Sequence, residues 1–284
     1  EGNLTTAIVK GINNYSGEVV QTFQIAPAKA TVLVNDSAKV YGEDDPVGYN
    51  GYSVVLEGTD QPLYTNVETK VQDTLGDITV VRPGMGTDEN AVVYEDALDV
   101  SVANQNANYT YTVDKGNFTI SAAGGNVVTL ASQAEGNTKT YDGQSISIDA
   151  SASKPGSTLW YSTDGENWTE TKPSLTNVGT LTIYVKATNP NYEDSAVVSA
   201  TVQVTPATLR VTTDSLGKVF DGTALTAEGE VSGFVNNETA TFAVTGSQTE
   251  VGSSVNDYSL VFDQTAKQSN YTVVESLGIL TVWP

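Results

Sequence analysis

Thr180-Leu181-Thr182-Ile183-Tyr184-Val185-Lys186-Ala187 alternates polar and apolar residues without a break. Successive side chains of an extended strand point to opposite faces, so Leu181, Ile183, Val185 and Ala187 share one face while Thr180, Thr182, Tyr184 and Lys186 share the other. The stretch is therefore a half-buried strand. Residues 197–204, 208–212 and 277–282 read the same way, rich in the Val, Thr and Ile that suit a pleated surface.

Outward from this strand, Leu159-Trp160-Tyr161-Ser162-Thr163-Asp164-Gly165-Glu166-Asn167-Trp168 reads as a hairpin, because Asp-Gly supplies the positive-φ positions of a tight turn between two β-rich arms. The best helical candidate is residues 66–75. It lacks a full apolar stripe and holds four β-branched residues, so a short turn is expected there. A β-grasp unit would need a helix across each sheet, and no segment supplies one. Many short strands and no helix predict an all-β chain built of sandwiches.

Self-similarity organises the rest. A Lys-x-aromatic element recurs as Lys39-Val40-Tyr41-Gly42, Lys139-Thr140-Tyr141-Asp142-Gly143 and Lys218-Val219-Phe220-Asp221-Gly222, with the aromatics 100 and 79 residues apart. An Asn-Tyr pair recurs as Asn14-Tyr15, Asn108-Tyr109, Asn191-Tyr192 and Asn270-Tyr271, and each is followed by a closing strand. Four ends and three starts give a terminal hairpin of a preceding repeat in 1–27, then whole repeats at 28–121, 122–205 and 206–284. Boundaries fall near Pro27-Ala28 and Pro206-Ala207, where proline ends a ladder and stiffens a short link. The expectation is an elongated array of tandem Ig-like β-sandwich repeats.

Bulk properties narrow the function. The chain has 284 residues, 39% hydrophobic and 17% charged, with no apolar run near the ~18 residues of a membrane span. Its formal charge of −21 repels nucleic acid and anionic membranes, and the acids are spread along the chain as on solvated strand faces. With no cysteine there is neither a disulfide nor a thiolate metal site, which favours a bacterial over a eukaryotic exported module. Neither an export segment nor a wall-sorting motif is visible, so an excised piece of a larger protein is expected.

Tyr141-Asp142-Gly143, Trp160-Tyr161-Ser162-Thr163-Asp164-Gly165 and Val185-Lys186-Ala187-Thr188-Asn189-Pro190-Asn191-Tyr192-Glu193-Asp194 resemble the YDG-type bacterial Ig-like surface repeats. Repeat 206–284 is similar to a sister repeat through Phe220-Asp221-Gly222-Thr223-Ala224-Leu225-Thr226 and Thr265-Ala266-Lys267-Gln268-Ser269-Asn270-Tyr271-Thr272. Repeat 28–121 resembles the related MBG class through Val40-Tyr41-Gly42-Glu43-Asp44-Asp45-Pro46, and departs from it by an insertion around residues 65–95. The resemblance implies arrays on very large envelope proteins.

Chemistry has little to work with. No histidine and no cysteine means no usual general base, thiol nucleophile or common zinc ligand, and paired carboxylates for glycoside hydrolysis would need a cleft that slim sandwiches do not offer. The chain is not expected to be an enzyme and no cofactor is expected. Glu43, Asp44, Asp45, Asp88 and Glu89 are weak calcium candidates, as hard oxygen ligands on loops, against the plainer reading as solvated turn acids. Trp160 and Trp168 flank one hairpin and are weak glycan-stacking candidates against a packing role. Lys39, Lys139 and Lys218 recur on the strand face of their aromatics. Burial there would be needed for a lysine–asparagine cross-link, and a snorkelling surface lysine is the plainer expectation. The recurring Asn-Tyr tyrosines are expected to be core or corner tyrosines with a hydroxyl partner.

Two functions follow as expectations: a spacer on a bacterial cell surface projecting a distal head, or an adhesive module holding host glycan or protein, chiefly through 28–121. Neighbouring repeats of the same chain are the expected partners, and the protein is expected to be an extracellular monomer.

Overall fold

The computed structural model describes residues 4–66, 68–87, 89–131 and 134–284. Among these, every regular element is a β-strand apart from the single 3₁₀ turn Gln268–Asn270. It divides into two compact units, residues 1–124 with 190–193, and residues 125–189 with 194–284.

The first unit begins with an antiparallel hairpin of Leu4–Lys10 and Glu18–Gln24, in register from Leu4 opposite Gln24 to Lys10 opposite Glu18. Almost every side chain of this hairpin is exposed. Tyr15, expected to be a core or corner residue, is 80% exposed; among the described residues its hairpin forms a two-stranded sheet of its own.

The body of this unit has two sheets. Ala28–Val34 is central to one, between Tyr109–Asp114 in parallel and Tyr52–Leu56 in antiparallel pairing. Gly116–Ser121 lies in the other, between Ser37–Val40 in parallel and Val93–Ala103 in antiparallel pairing, with Asp77–Val81 beyond. The inward positions follow the period of two. Ala30, Val32 and Val34 from the first sheet meet Leu98, Phe118 and Ile120 from the second, and Phe118 is 0% exposed. The result is an Ig-like sandwich with parallel pairing between its first and last strands.

Both of those strand pairs change sheets at the same level. The chain crosses at Asn35-Asp36 and again at Lys115, and the crossings touch: a Cβ on Gly116 would lie 2.7 Å from the Asn35 carbonyl oxygen. Asp36 Oδ1 then accepts a hydrogen bond from the Asn117 amide at 2.7 Å. The inserted segment contributes the small hairpin Tyr64–Asn66 and Val71–Gln72, with Leu63 and Leu75 buried at its base. The short turn expected within 66–75 is present at residues 68–70, where it joins the two strands of this hairpin.

In the second unit, Ala134–Thr140, Val198–Thr205, Gly179–Thr188 and Thr158–Ser162 form a four-stranded sheet, and Val128–Leu130 pairs with Ala150–Ala152. Ile183, Val185 and Ala187 are all fully buried, as the alternation predicts. The Asp-Gly hairpin has one β-rich arm, Thr158–Ser162; its return is a single bridge between Tyr161 and Thr169. Asp164 holds the turn, accepting from the amides of Glu166 and Asn167.

Further along the same unit, Ala207–Thr213 lies between Gly229–Ser232 and, in parallel, Tyr271–Ser276; Ile279–Trp283 lies between Leu216–Val219 and Gly252–Val255. Ala240–Val244 pairs with Tyr258–Phe262. Among the described residues no sheet takes strands from both sides of 205–206. The apolar layer does, since Val202, Val204, Ala207, Leu209 and Tyr271 belong to one buried cluster.

Overpacking at a backbone crossing typically costs about 1–3 kcal/mol. Gly116→Ala is therefore expected to lower the free energy of unfolding by that amount in urea titration, while Gly124→Ala, whose Cβ would meet only the tip of Glu193, leaves it nearly unchanged.

Candidate functional site

Charge collects in the interior of the first unit. The strand Asp77–Val81 alternates so that Ile78 and Val80 face inward, and Arg82 continues that face at 6% exposure. Its guanidinium lies 4.5 Å from the centre of the Phe118 ring. It grips Asp45 with two hydrogen bonds, Nε to Oδ2 at 2.7 Å and Nη2 to Oδ1 at 2.9 Å, and Nη2 also donates to Glu89 Oε1. Lys39 Nζ stands 2.9 Å from Asp45 Oδ1 and pairs with Glu89 as well. Tyr49 donates its hydroxyl to Asp45 at 3.0 Å, and the Gly86 amide donates to Glu89 at 2.8 Å. Two cations thus face two carboxylates.

Burial works against ionisation of Asp45, but the hydrogen bonds from Arg82, Lys39 and Tyr49 outweigh it and hold the pKa at about 2. Burial opposes the charge of Glu89 too, and its bonds to Lys39, Gly86 and Arg82 bring it to about 2. For Lys39 burial is again the largest influence and is overcome by both carboxylates, which raise its pKa above the ordinary lysine value. A lysine held protonated beside ionised acids is a poor nucleophile for an amide cross-link.

This geometry bears directly on the calcium candidates. Asp45 and Glu89 are committed to Lys39 and Arg82, so a cation binding there would have to displace both. Glu43 accepts from the Val40 amide at 3.3 Å, Asp44 is exposed, and Asp88 lies outside the described residues. Among the described residues no three acids gather as metal ligands would.

The recurring lysines behave as a set. Lys139 pairs with Asp142 at 2.6 Å and donates to the Gln144 carbonyl; Lys218 pairs with Asp221 at 2.7 Å and donates to the Thr223 carbonyl. Each clamps the turn that follows its own strand. Lys39 has the least exposed side chain of the three, at 8%, and is bound to two acids from farther away.

Trp160 and Trp168 come together on the outer face of the four-stranded sheet. Trp160 stands opposite Lys186 in the ladder and donates Nε1–H to Thr188 at 3.0 Å. Lys186 Nζ in turn lies 4.6 Å from the centre of the Trp168 ring. Both indoles are half-buried, and the stripe ties the hairpin to its sheet.

Of the Asn-Tyr tyrosines, Tyr109 donates its hydroxyl to Asp73 at 2.9 Å and Tyr271 donates to Glu238 at 2.7 Å. Tyr141 donates to the other oxygen of Glu238, and its ring meets Tyr271 edge-on at 5.6 Å. Burial, then the bond to the acid, raises the Tyr109 pKa to about 12, and the same two causes raise Tyr271 to about 12. Arg82 and Glu238 were not singled out from the sequence. The inward parity of Arg82 with Ile78 and Val80 was the available signal; Glu238 lies in a turn and carries none.

No family model matches the chain, and no curated protein does. Solved structures with a similar arrangement include the immunoglobulin domains 1–5 of Sidekick-1, at 11% identity and TM-score 0.34, covering 100% of this chain and 67% of that one. Fibronectin(III)-like modules of Clostridium thermocellum CbhA match at 14% identity and TM-score 0.20, covering 55% and 94%, and Drosophila N-cadherin EC1-4 at 9% and 0.25, covering 98% and 82%.

Removing one cation from a buried charge network typically costs about 3–5 kcal/mol. Arg82→Met is expected to destabilise the first unit by that amount in thermal or urea unfolding. Because the folded pKa values of Asp45 and Glu89 lie below their ordinary 3.8 and 4.5, their contribution is complete above about pH 4.5 and lost as pH falls towards 2. A stability profile flat across that window would contradict the assignment. The raised tyrosine values act oppositely. The contribution of Tyr271 persists below its ordinary 10 and disappears as pH rises towards 12. Tyr271→Phe should cost about 1 kcal/mol at neutral pH and flatten the alkaline loss in the second unit.

Proposed function

We propose that this chain is a spacer segment of a large bacterial cell-surface adhesin-like protein, made of YDG- and MBG-type repeats and serving to hold a distal head away from the envelope. The observation that carries this reading is how the polar chemistry is used. The buried charges of the first unit neutralise one another, and the recurring Lys, Asn and Tyr positions bind turns, amides and neighbouring rings of the chain itself. A ligand site would instead keep convergent polar groups unsatisfied in a concavity. High negative charge and a lack of oxidisable cysteine suit an exposed extracellular stalk.

A second reading is an adhesive module for host glycan or protein. Its support is the Trp160–Lys186–Trp168 stripe on an outer sheet face, together with an open groove in 28–121 lined by Arg82, Pro83, Val93, Tyr94, Asp96 and Lys115. The two readings part on a glycan array and a mucin-binding screen of the whole chain, repeated with Trp160→Ala and Lys115→Ala. Silence throughout is expected. Binding lost in either variant would overturn the spacer reading and locate the adhesive surface.

A further inference from the structure

One joint geometry is used twice in this chain. In the first unit, which includes Pro190–Glu193, the Tyr192 ring meets Tyr41 edge-on at 5.4 Å. Beside it Asn191 Oδ1 accepts from the Ala91 amide at 2.8 Å, and Asn191 Nδ2 donates to Asn90 Oδ1 at 3.1 Å. In the second unit Tyr271 meets Tyr141 at 5.6 Å, Asn270 Oδ1 accepts from the Val178 amide at 2.9 Å, and Asn270 Nδ2 donates to Asn177 Oδ1 at 3.0 Å. Each joint thus has a projecting Asn-Tyr pair and a receiving face. The receiving face is an aromatic ring, a backbone amide, and a side-chain oxygen one residue before that amide.

The third sequence repeat carries the same receiving face. The amides of Tyr41, Tyr141 and Phe220 donate to Ser121, Thr205 and Trp283 carbonyls at 2.8, 2.8 and 2.9 Å, which makes Phe220 the equivalent ring. Val178 immediately precedes Gly179, which pairs with Val204; Val251 immediately precedes Gly252, which pairs with Val282. Val251 therefore holds the equivalent amide. Glu250 replaces Asn177 and keeps a side-chain oxygen to accept from an incoming carboxamide. Here, however, Phe220 is 46% exposed, Val251 51% and Trp283 51%.

We propose that the Phe220–Glu250–Val251 face receives the Asn-Tyr pair of an adjoining Ig-like repeat of this kind. This rests on the spacer reading and specifies its partner.

The test extends the full chain by a second copy of 207–284 placed after Pro284, so that Trp283-Pro284-Ala reproduces the Thr205-Pro206-Ala207 seam. Amide hydrogen exchange at Val251 is expected to slow by about tenfold or more, with a blue shift of Trp283 emission. Asn270→Ala in the added copy alone should restore the fast exchange. Exchange at Val251 unchanged beside a folded added copy would overturn the proposal. In the unextended chain, Asn270→Ala is expected to speed exchange of the Val178 amide, and if it does not, the joint is not built as stated. Glycan or mucin binding by the whole chain would sink the spacer reading and leave these exchange rates as they are.

Discussion

The parallel pairing of first and last strands closes these sandwiches. Ala28–Val34 pairs with Tyr109–Asp114 across some eighty residues of intervening chain, and Ala207–Thr213 pairs with Tyr271–Ser276 in the same sense. Such contacts join residues far apart in sequence and carry a loop-closure cost, which the apolar layer beneath them offsets. Everything between is then held in a closed frame, and this is where the Asn-Tyr pairs stand: Tyr109 opposite Ala28 and Tyr271 opposite Ala207 begin the two ladders. Their hydroxyls reach acids from intervening loops, Asp73 in one case and Glu238 in the other. The recurrence in sequence is thus recurrence of a closing point.

Without cysteine, the loops need another tether, and ionic contacts supply it. Lys139 and Lys218 use a local aspartate on a partly exposed surface, where such a pair contributes little, about 0–1 kcal/mol. The Lys39 cluster differs in kind because Arg82 and Asp45 are buried. Buried pairs are costly to break whatever their net contribution to folding, so the cluster fixes where the loops bearing Asp45 and Glu89 lie more than it adds to stability.

The strands were legible because period two survives in a half-buried sheet, as Ile183, Val185 and Ala187 demonstrate. The sandwich followed from strand density and the lack of any helical stripe. The joint at Asn270 was visible only as a recurrence, since nothing local announces that its carboxamide will meet an amide 92 residues away. The charge cluster was half visible. Asp45 and Glu89 stood out as loop acids and Lys39 as a recurring lysine, but Arg82 carries no signal beyond its inward parity, and without it the acids read as solvated turn acids or weak calcium candidates. Tyr15 shows the converse error, a motif recurring where the packing that gives it meaning is not present.

The closing ladders also determine how a repeat meets mechanical load. In the third sequence repeat the entering strand Ala207–Thr213 and the strand Tyr271–Ser276 run side by side in the same direction through six register pairs, from Ala207 opposite Tyr271 to Thr212 opposite Ser276. Tension applied at the two ends of that repeat pulls the paired strands past each other along their length. All the hydrogen bonds between them are then strained together, in shear, whereas an antiparallel hairpin pulled at its open end yields one bond at a time. A segment closed in this way resists extension with the whole ladder before any strand leaves its sheet.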